Sequence, residues 1–353
     1  MSNARYPIAA LLAFSHDALA ACGVPDADAA IAAKQMTEAD VTGFDAHGIF
    51  RLGFYCNTLK TGRCNPRPKI RTVQRSAATA LVDGDDGIGH LVMTYAMNRA
   101  IELARESGIG WVGARRSNHA GAAGIYAEMP TRQDMVGIYA AVSTANHMAV
   151  WGAAEALLGT NPIAIGIPAG KEAPVVLDIA TSVASFGTVR QHVAANKPLP
   201  DGWVLNKKTG KPVNDPKEVG DGVLLPIGDY KGSGLAIVIG LLAGVLNGAA
   251  FGKDVIDFTG PGTEKTNTGQ FVLAIDIKRF IAPNVFAAEM DRHLNDLRSS
   301  PRLPGVDAIR LPGEDRRRRR EERTRNGVAL PAGLVKQLDE LAANLKIKPL
   351  GAR

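Results

Sequence analysis

Apolar positions at helical spacing open the chain. Leu11, Leu12, Ser15 and Leu19 share one face, and Asp26 starts a second run through Ala29, Ile31, Ala32 and Met36. Ile49, Leu52, Phe54 and Tyr55 resume the pattern after Gly48, so residues 7–60 are expected to be helical. The two prolines of Cys64–Ile70 mark a loop or an extended entry to new structure. From about residue 71 short β-branched runs predict strands at 70–73, 79–82, 109–112, 136–142, 163–167, 175–177 and 271–275. Helices are expected between them at 90–106, 121–129 and 182–194, and later at 284–298, 314–325 and 332–346. Residues 196–227, rich in Pro, Gly, Lys and Asp, read as a long surface excursion, and no fixed-period repeat is present.

This order predicts an α/β (α+β) protein. A helical domain from both chain ends, 1–72 with 284–353, flanks a sheet domain at 73–283. The most apolar stretch, Gly234–Leu246, would rise only about 20 Å as a helix, short of a roughly 30 Å hydrocarbon core. It is expected inside the fold, and no membrane partner is implied. The apolar run Pro7–Phe14 is interrupted by His16 and Asp17 and lacks a basic start, so it does not read as a secretory signal.

Composition agrees with a folded protein: 353 residues, 46% hydrophobic and 22% charged, which excludes disordered, collagen-like and coiled-coil chains. Three scattered cysteines, Cys22, Cys56 and Cys64, give neither a disulfide framework nor a zinc site, and a reduced cytoplasmic setting is expected. The net charge of +6 invites nucleic acid as a partner, but residues 310–325 hold eight arginines against four acids. That segment carries +4 of the total, and its arginines, Arg316–Arg320 among them, are interleaved with acids at 314, 315, 321 and 322 and lack aromatic partners for stacking. A solvated helix face, or a local field beside an anionic ligand, is the preferred reading over a nucleic-acid surface.

Candidate chemistry is sparse and specific. Gly108, Gly110 and Gly113 match GxGxxG as text, but a helix precedes them and a strand contains them, the reverse of the dinucleotide motif. Gly108 reads instead as a helix C-cap, and neither a P-loop nor a GxSxG elbow occurs. None of the seven histidines forms an HExxH or a tight cluster, so no metal is expected. His47 and Arg51, four residues apart, share a face if the segment is helical. A proton donor beside a carboxylate-binding cation is what reduction of a 2-oxo acid requires, although a structural pair is the common reading of such spacing. His119 lies at a strand-to-helix junction among small residues that allow close approach of a ligand, or that only cap the helix. Asp178 ends an apolar strand, where it can orient a histidine or cap the next helix. Lys231, with free amides at a glycine-rich helix start, offers an anion site, or is a snorkelling lysine on an ordinary helix start.

The ordered motifs DAHGIFRL, SNHAGAAGIYA, LLGTNPIAIGIP, VVLDIATS, DYKGSGLA and RLPGED resemble the type 2 malate/L-lactate dehydrogenase family. That family includes L-sulfolactate, ureidoglycolate and diketogulonate oxidoreductases and the cyclic imino acid reductases, and the likeness runs from about residue 10 to 345. The resemblance implies a non-Rossmann fold of the L-sulfolactate dehydrogenase type with a central mixed sheet, an NAD or NADP cofactor, a small-molecule substrate and a homodimer. It implies His47 as general acid/base and Arg51 as carboxylate anchor. It places His119 near the nicotinamide, as proton acceptor in some members. It assigns Ser143, Asp178, Ile179, Ala180, Lys231, Gly232, Gly313 and Glu314 to the cofactor, and Thr160 with Asn161 to a turn bordering the substrate. Asp178 would also orient His47, as in the imine-reducing members. The chain departs from the family at Ala46 (often Ser), at Ala120 (often aromatic, so a larger pocket is expected), at Val150 (a common proline) and around His147. Oxidoreduction of a 2-hydroxy or 2-oxo acid is therefore expected, with cyclic imino acid reduction or ureidoglycolate oxidation as alternatives. Nucleic-acid binding and a non-catalytic dinucleotide binder are the readings from other classes.

Overall fold

The computed structural model describes residues 4–260 and 262–353, so residues 1–3 of the expected helical part lie outside it. A short strand, β1 (Ala4–Tyr6), precedes α1 (Ile8–Ala21) and α2 (Asp26–Thr42). Pro7 and Pro25 stand just ahead of these helices, where a missing N–H costs no helical bond. Two single 3-10 turns, Asp45–His47 and Ile49–Arg51, then lead into α3 (Leu52–Lys60). The helical pattern expected to resume after Gly48 does so through these turns, because Gly43 ends α2 with φ +86° and Gly48 is not helical.

The centre holds β2 (Arg71–Arg75), β3 (Thr79–Asp83), α4 (Gly89–Ser107), β4 (Ile109–Ser117), α5 (Ala123–Glu128), β5 (Met135–Ala141), β6 (Ile163–Ile167) and β7 (Val175–Ile179). After α6 (Phe186–Ala194), β8 (Val204–Asn206) and β9 (Gly222–Leu224) pair as a small ribbon, followed by α7 (Tyr230–Ala243) and β10 (Thr268–Asp276). The seven-stranded sheet runs β2-β3-β4-β10-β5-β6-β7, with only β3 and β4 parallel, joined by α4. This is a mixed sheet, as expected, and not a doubly wound one. The late strand β10 inserts at its middle, antiparallel to both β4 and β5. Its sequence TGQFVLAID is nearly all buried because both faces are covered. Val272 and Ala274 meet the residues of α4 and α5, while Phe271 meets Ile239 and Ala243 of α7 on the opposite face.

The expected GxGxxG failure has a packing explanation. Gly108 caps α4 in the left-handed conformation. A Cβ at Gly110 would strike the Ala100 carbonyl, and one at Gly113 the Asn247 amide, so these glycines let a helix and a turn lie close on β4.

The chain closes with α8 (Pro283–Ser299), α9 (Glu314–Asn326), β11 (Val328–Leu330) and α10 (Ala332–Leu345). β1 pairs antiparallel with β11, two strands the apolar pattern did not announce because each has three residues. Leu11, Phe14, Leu19, Met36, Leu52 and Tyr55 form one core with Val328, Leu338, Ala342 and Leu350, which joins the two ends of the chain. α8 docks elsewhere: the amides of Gly170, Lys171 and Glu172 in the β6–β7 turn donate to Asp291. The 196–227 excursion is also less superficial than expected, since Leu199, Val204, Val213 and Leu224 bury against Met148, Leu158 and Val189. The apolar helix α7 is buried on one side only. By length and composition the helical stretch Tyr230–Asn247 reaches membrane-spanning size, with Val238, Leu241, Val245 and Leu246 exposed.

Candidate active site

Asp40, near the end of α2, holds the segment that carries His47 and Arg51. It is 1% exposed, and its Oδ2 accepts from the Ile49 amide at 2.8 Å. A Cβ at Gly48 would overlap this carboxylate, so only glycine lets the turn close over it. Burial pushes the Asp40 carboxyl up to about 8, with Asp45 adding to the rise while the Ile49 amide and Arg323 oppose it. Arg323 of α9 donates to the Asp40 carbonyl and to the Asp45 carboxylate, and clamps the same turn from outside. Asp40→Ala is expected to cost about 1–3 kcal/mol by stranding the Ile49 amide, read by urea unfolding. Asp40→Asn keeps an acceptor. Because the native carboxyl sits above its unfolded value, its stabilising contribution is full below about pH 4 and lost as pH rises through 8. Asp40→Asn should therefore flatten the stability profile between pH 4 and 8, and an unchanged profile would show that Asp40 is not its source.

The His47 and His119 rings stack at 5.3 Å with 16° between planes. His119 is presented by the β4–α5 loop, where Asn118 pins the backbone through bonds to the Asp86 and Gly87 carbonyls and to Thr266. Tyr55 Oη lies 2.5 Å from His119 Nδ1, and the Gly121 amide approaches the same nitrogen at 3.4 Å. Two donors on Nδ1 leave the proton of a neutral His119 on Nε2. Phe258, from the loop after α7, covers His119 with ring centroids 5.2 Å apart. His90 of α4 is fully buried edge-on to Tyr55, and both its ring nitrogens lack a hydrogen-bond partner among the described residues. Burial, reinforced by the Arg51 charge, pulls His47 down to about 4, and its Nδ1 likewise has no partner among the described residues. His90 falls to about 3 by burial and the nearby His47, and His119 falls well below the ordinary range for the same leading cause. All three are neutral at pH 7.

Arg51 donates its Nε to the Ala46 carbonyl at 3.0 Å, which fixes the guanidinium plane. No hydrogen bond of its two Nη groups is recorded among the described residues. Tyr55, His90, Asp40 and Phe258 are the site residues that sequence spacing did not reveal. They lie on four different elements, and only folding assembles them.

Of the positions assigned by resemblance to the cofactor, Asp178, Ile179, Ala180, Gly313 and Glu314 gather along β7. Val176 N donates to the Pro312 carbonyl at 3.2 Å, which brings Gly313 and Glu314 beside Asp178, Ile179 and Ala180. Gly313 opens α9 at φ +97° against Val176. A cavity of about 230 Å³ lies here, walled by Val176, Gly313, Glu314 and by Arg298, Arg316, Arg317 and Arg320. Arg316 is largely buried, and neither Nη has a hydrogen-bond partner among the described residues. Glu128 and Glu172 line the cavity too, and Arg298 is answered by Glu172 and Glu314, so Arg316, Arg317 and Arg320 carry the wall's positive charge, which suits an anionic group.

Several expectations need correction. Asp178 does not orient His47: its Oδ2 accepts from Gly124 N at 2.7 Å and faces Arg316 at 4.0 Å, because β7 is the edge strand beside α5. The amides at the start of α7 are not free. Lys231, Gly232 and Ser233 donate to the carbonyls of Gly228, Ile227 and Asp229, which leaves only the exposed Lys231 side chain of the anion site expected there. Asn161 is fully buried and spent at both ends, accepting from Ser143 N and donating to the Ala236 carbonyl. It therefore positions Ser143 and cannot readily meet substrate, while the neighbouring Thr160 carbonyl accepts from Thr181. Glu314 is bound to Arg298 and to Leu311 N. Ala120 does not widen the pocket, since it is 3% exposed within the core under α4 and α5. The run Arg316–Arg320 is largely engaged inside the molecule: Arg318 pairs with Asp315, Arg319 reaches the Gly43 carbonyl and Arg320 pairs with Glu38. No group of acidic, histidine or cysteine residues suited to a metal occurs among the described residues.

The mixed sheet, with His119 in the loop after β4 stacked on His47 of the turn that carries Arg51, is the architecture of a class of dehydrogenases. A family model described as malate/L-lactate dehydrogenase matches residues 6–339, and the chain belongs to that family. It is 33% identical to a malate dehydrogenase of Pyrococcus horikoshii, over 98% of this chain and 97% of that one. It is 37% identical to an L-sulfolactate dehydrogenase of Methanocaldococcus jannaschii, over 93% and 94%. The solved sulfolactate dehydrogenase of M. jannaschii superposes with a TM-score of 0.92 at 34% identity over 99% of each chain.

Proposed function

We propose that this protein is an NAD- or NADP-dependent oxidoreductase that interconverts a small 2-hydroxy acid and its 2-oxo acid, of the malate or lactate type. The observation that carries this reading is the stacked, neutral His47–His119 pair next to Arg51, whose two Nη groups are left to bind a ligand. Arg51 takes the substrate carboxylate in a two-point contact, which fixes C2 and its oxygen in front of His47. His47, neutral in the free site, takes the hydroxyl proton on oxidation and returns it on reduction. The bound carboxylate cancels the Arg51 charge that helps depress His47, so the imidazole becomes more basic once substrate is in place. His119, its Nδ1 tied to Tyr55, presents Nε2–H and holds the His47 ring by stacking.

The nicotinamide, when bound, supplies or accepts the hydride. Ser143, Asp178–Ala180, Lys231–Gly232 and Gly313–Glu314 would hold the cofactor, the last two at the arginine-lined cavity. Family relatives are named for either NAD(+) or NADP(+). A homodimer, as the family resemblance implies, would cover the exposed Val238, Leu241 and Val245 of α7. Cytoplasmic placement follows from the unpaired cysteines. The test is NADH and NADPH oxidation by purified protein against oxaloacetate, pyruvate, a cyclic imine and the ureidoglycolate oxo acid. A 2-oxo-acid-dependent fall in absorbance is expected. Turnover of the imine alone would replace this reading. Sedimentation equilibrium should give twice the chain mass, and a one-chain mass would remove the dimer.

A further inference from the structure

A buried cation stands behind the ring that covers His119. α3 ends at Lys60, and Gly62, at φ +75°, turns the chain back so that Arg63 enters the molecule, only 2% exposed. Its Nη1 donates to carbonyls of one loop, those of Asp257 at 3.4 Å, Phe258 at 2.9 Å and Gly260 at 3.2 Å. The tie is returned from the far side, since Lys265 Nζ donates to the Gly62 and Arg63 carbonyls. Glu264, at 3.9 Å and largely exposed, is a weak counter-charge. A guanidinium taken out of water is costly, and here the carbonyl dipoles of the loop answer it. The same bonds fix the backbone on both sides of Phe258.

The Phe258 ring is 1% exposed. It meets Phe54 with centroids 4.0 Å apart, His119 at 5.2 Å and Tyr55 at 6.2 Å. Its amide donates to the Thr144 carbonyl at 2.9 Å, next to Ser143. His119 therefore stacks on His47 and on Phe258 while Tyr55 Oη holds its Nδ1. The titratable and charged groups that face His119 are His47 and Arg51 of the turn, Tyr55 of α3 and His90 of α4. Of these only Arg51 is charged at pH 7. Exclusion of water is the first reason that His119 stays neutral, and Phe258 is an apolar wall of that enclosure.

We propose that Arg63 is a positioning residue for the His47–His119 pair: its grip on the Asp257–Gly260 carbonyls holds the Phe258 ring against His119, which keeps that imidazole dry and in its stack on His47. The inference deepens the oxidoreductase reading, on which the acid/base role of the pair rests, while the grip itself can be read without turnover. A leucine at 63 fills part of the space and ties nothing. A lysine keeps the charge but not the planar fork, so it holds the loop less firmly.

The test follows the histidine Cε1–H signals by NMR from about pH 5 to 8, the range that brackets an ordinary imidazole. It uses wild type, Arg63→Leu, Arg63→Lys, Phe258→Leu and the double variant Arg63→Leu with Phe258→Leu, and His119→Gln identifies the resonance. In wild type the His119 signal should not titrate over this range. In Arg63→Leu it should titrate within it, and kcat for the 2-oxo acid that wild type reduces best should fall about tenfold with NADH affinity unchanged. Phe258→Leu should do the same, and the double variant should go no further than Phe258→Leu, since one residue acts through the other. Arg63→Lys should fall between wild type and Arg63→Leu. A purely structural role would lower stability without moving the His119 titration. A His119 signal still silent in folded Arg63→Leu, with wild-type kcat, overturns the proposal, and so do additive effects in the double variant. Should Arg63→Leu lose cooperative urea unfolding, Arg63→Lys decides, and an unshifted His119 signal with wild-type kcat there overturns the proposal. Wild type inactive on every 2-oxo acid ends the oxidoreductase reading alone, and the NMR titrations still decide what Arg63 holds.

Discussion

His47→Ala should lower kcat by about a hundredfold to ten-thousandfold, the range for a positioned general acid/base, while cofactor affinity holds. The imidazole stands between the stacked His119 ring and Arg51, and no other titratable side chain on the Asp45–Arg51 segment can take its place. The pH dependence follows from the sign of its shift. His47 in the free site titrates at about 4, depressed first by burial and then by the Arg51 charge. Hydroxy-acid oxidation needs the neutral ring, so its kcat/KM should be level across neutral pH and fall only as pH drops through about 4. Oxo-acid reduction needs the protonated ring, so its kcat/KM should fall roughly tenfold for each unit above that value. An initial-rate profile in both directions checks this. Normal turnover in His47→Ala would transfer the acid/base role to the Tyr55–His119 pair.

The second large effect is expected at Arg51. Arg51→Lys keeps a charge but loses the planar fork, and its ammonium cannot both reach the Ala46 carbonyl and grip a carboxylate at two points. KM for the 2-oxo acid should rise about tenfold or more, the equivalent of one charge-assisted hydrogen bond of about 1.5–3 kcal/mol. Arg51→Gln should go further and also lift the acid limb of the oxidation profile above 4, because it removes a charge that depresses His47. Steady-state kinetics with varied acid, at fixed NADH, reads the first effect, and the pH profile reads the second. An unchanged KM in both variants would end the anchor role.

The positive charge near the C-terminus takes on a structural meaning in this setting. Arg320 and Arg323 of α9 bind Glu38, Asp45 and the Asp40 carbonyl, so the helix that follows Gly313 clamps the turn carrying His47. The basic helix thereby ties the cavity beside β7 to the segment that carries His47 and Arg51. That charge excess alone does not require a nucleic-acid partner.

Much of the fold was legible along the chain. The strand at Ile163–Ile167 and the helices at 90–106 and 284–298 were readable because apolar periodicity over five or more residues reports which face is covered, whereas the helix at 314–325 has no apolar residue and was legible only as a run of charged, helix-forming side chains. The three-residue strands β1 and β11 carry no periodicity, and their pairing of the two chain ends depends on the core beneath them. His47, Arg51 and His119 were visible as chemistry set among small residues, but their neighbours were not. Asp40, Tyr55, His90 and Phe258 reach the site from α2, α3, α4 and the loop after α7, at separations where sequence holds no distance information. Asp178 and Asn161 show the converse. Local pattern marked Asp178, and family resemblance marked Asn161, as site residues, yet tertiary packing spends their polar atoms on Gly124, Ser143 and Ala236. The sequence by itself determined the element types and the reactive side chains, because propensity and chemistry are local properties. Only the tertiary structure decided which of those side chains meet, how burial sets their protonation, and which polar groups are left unbonded for a ligand.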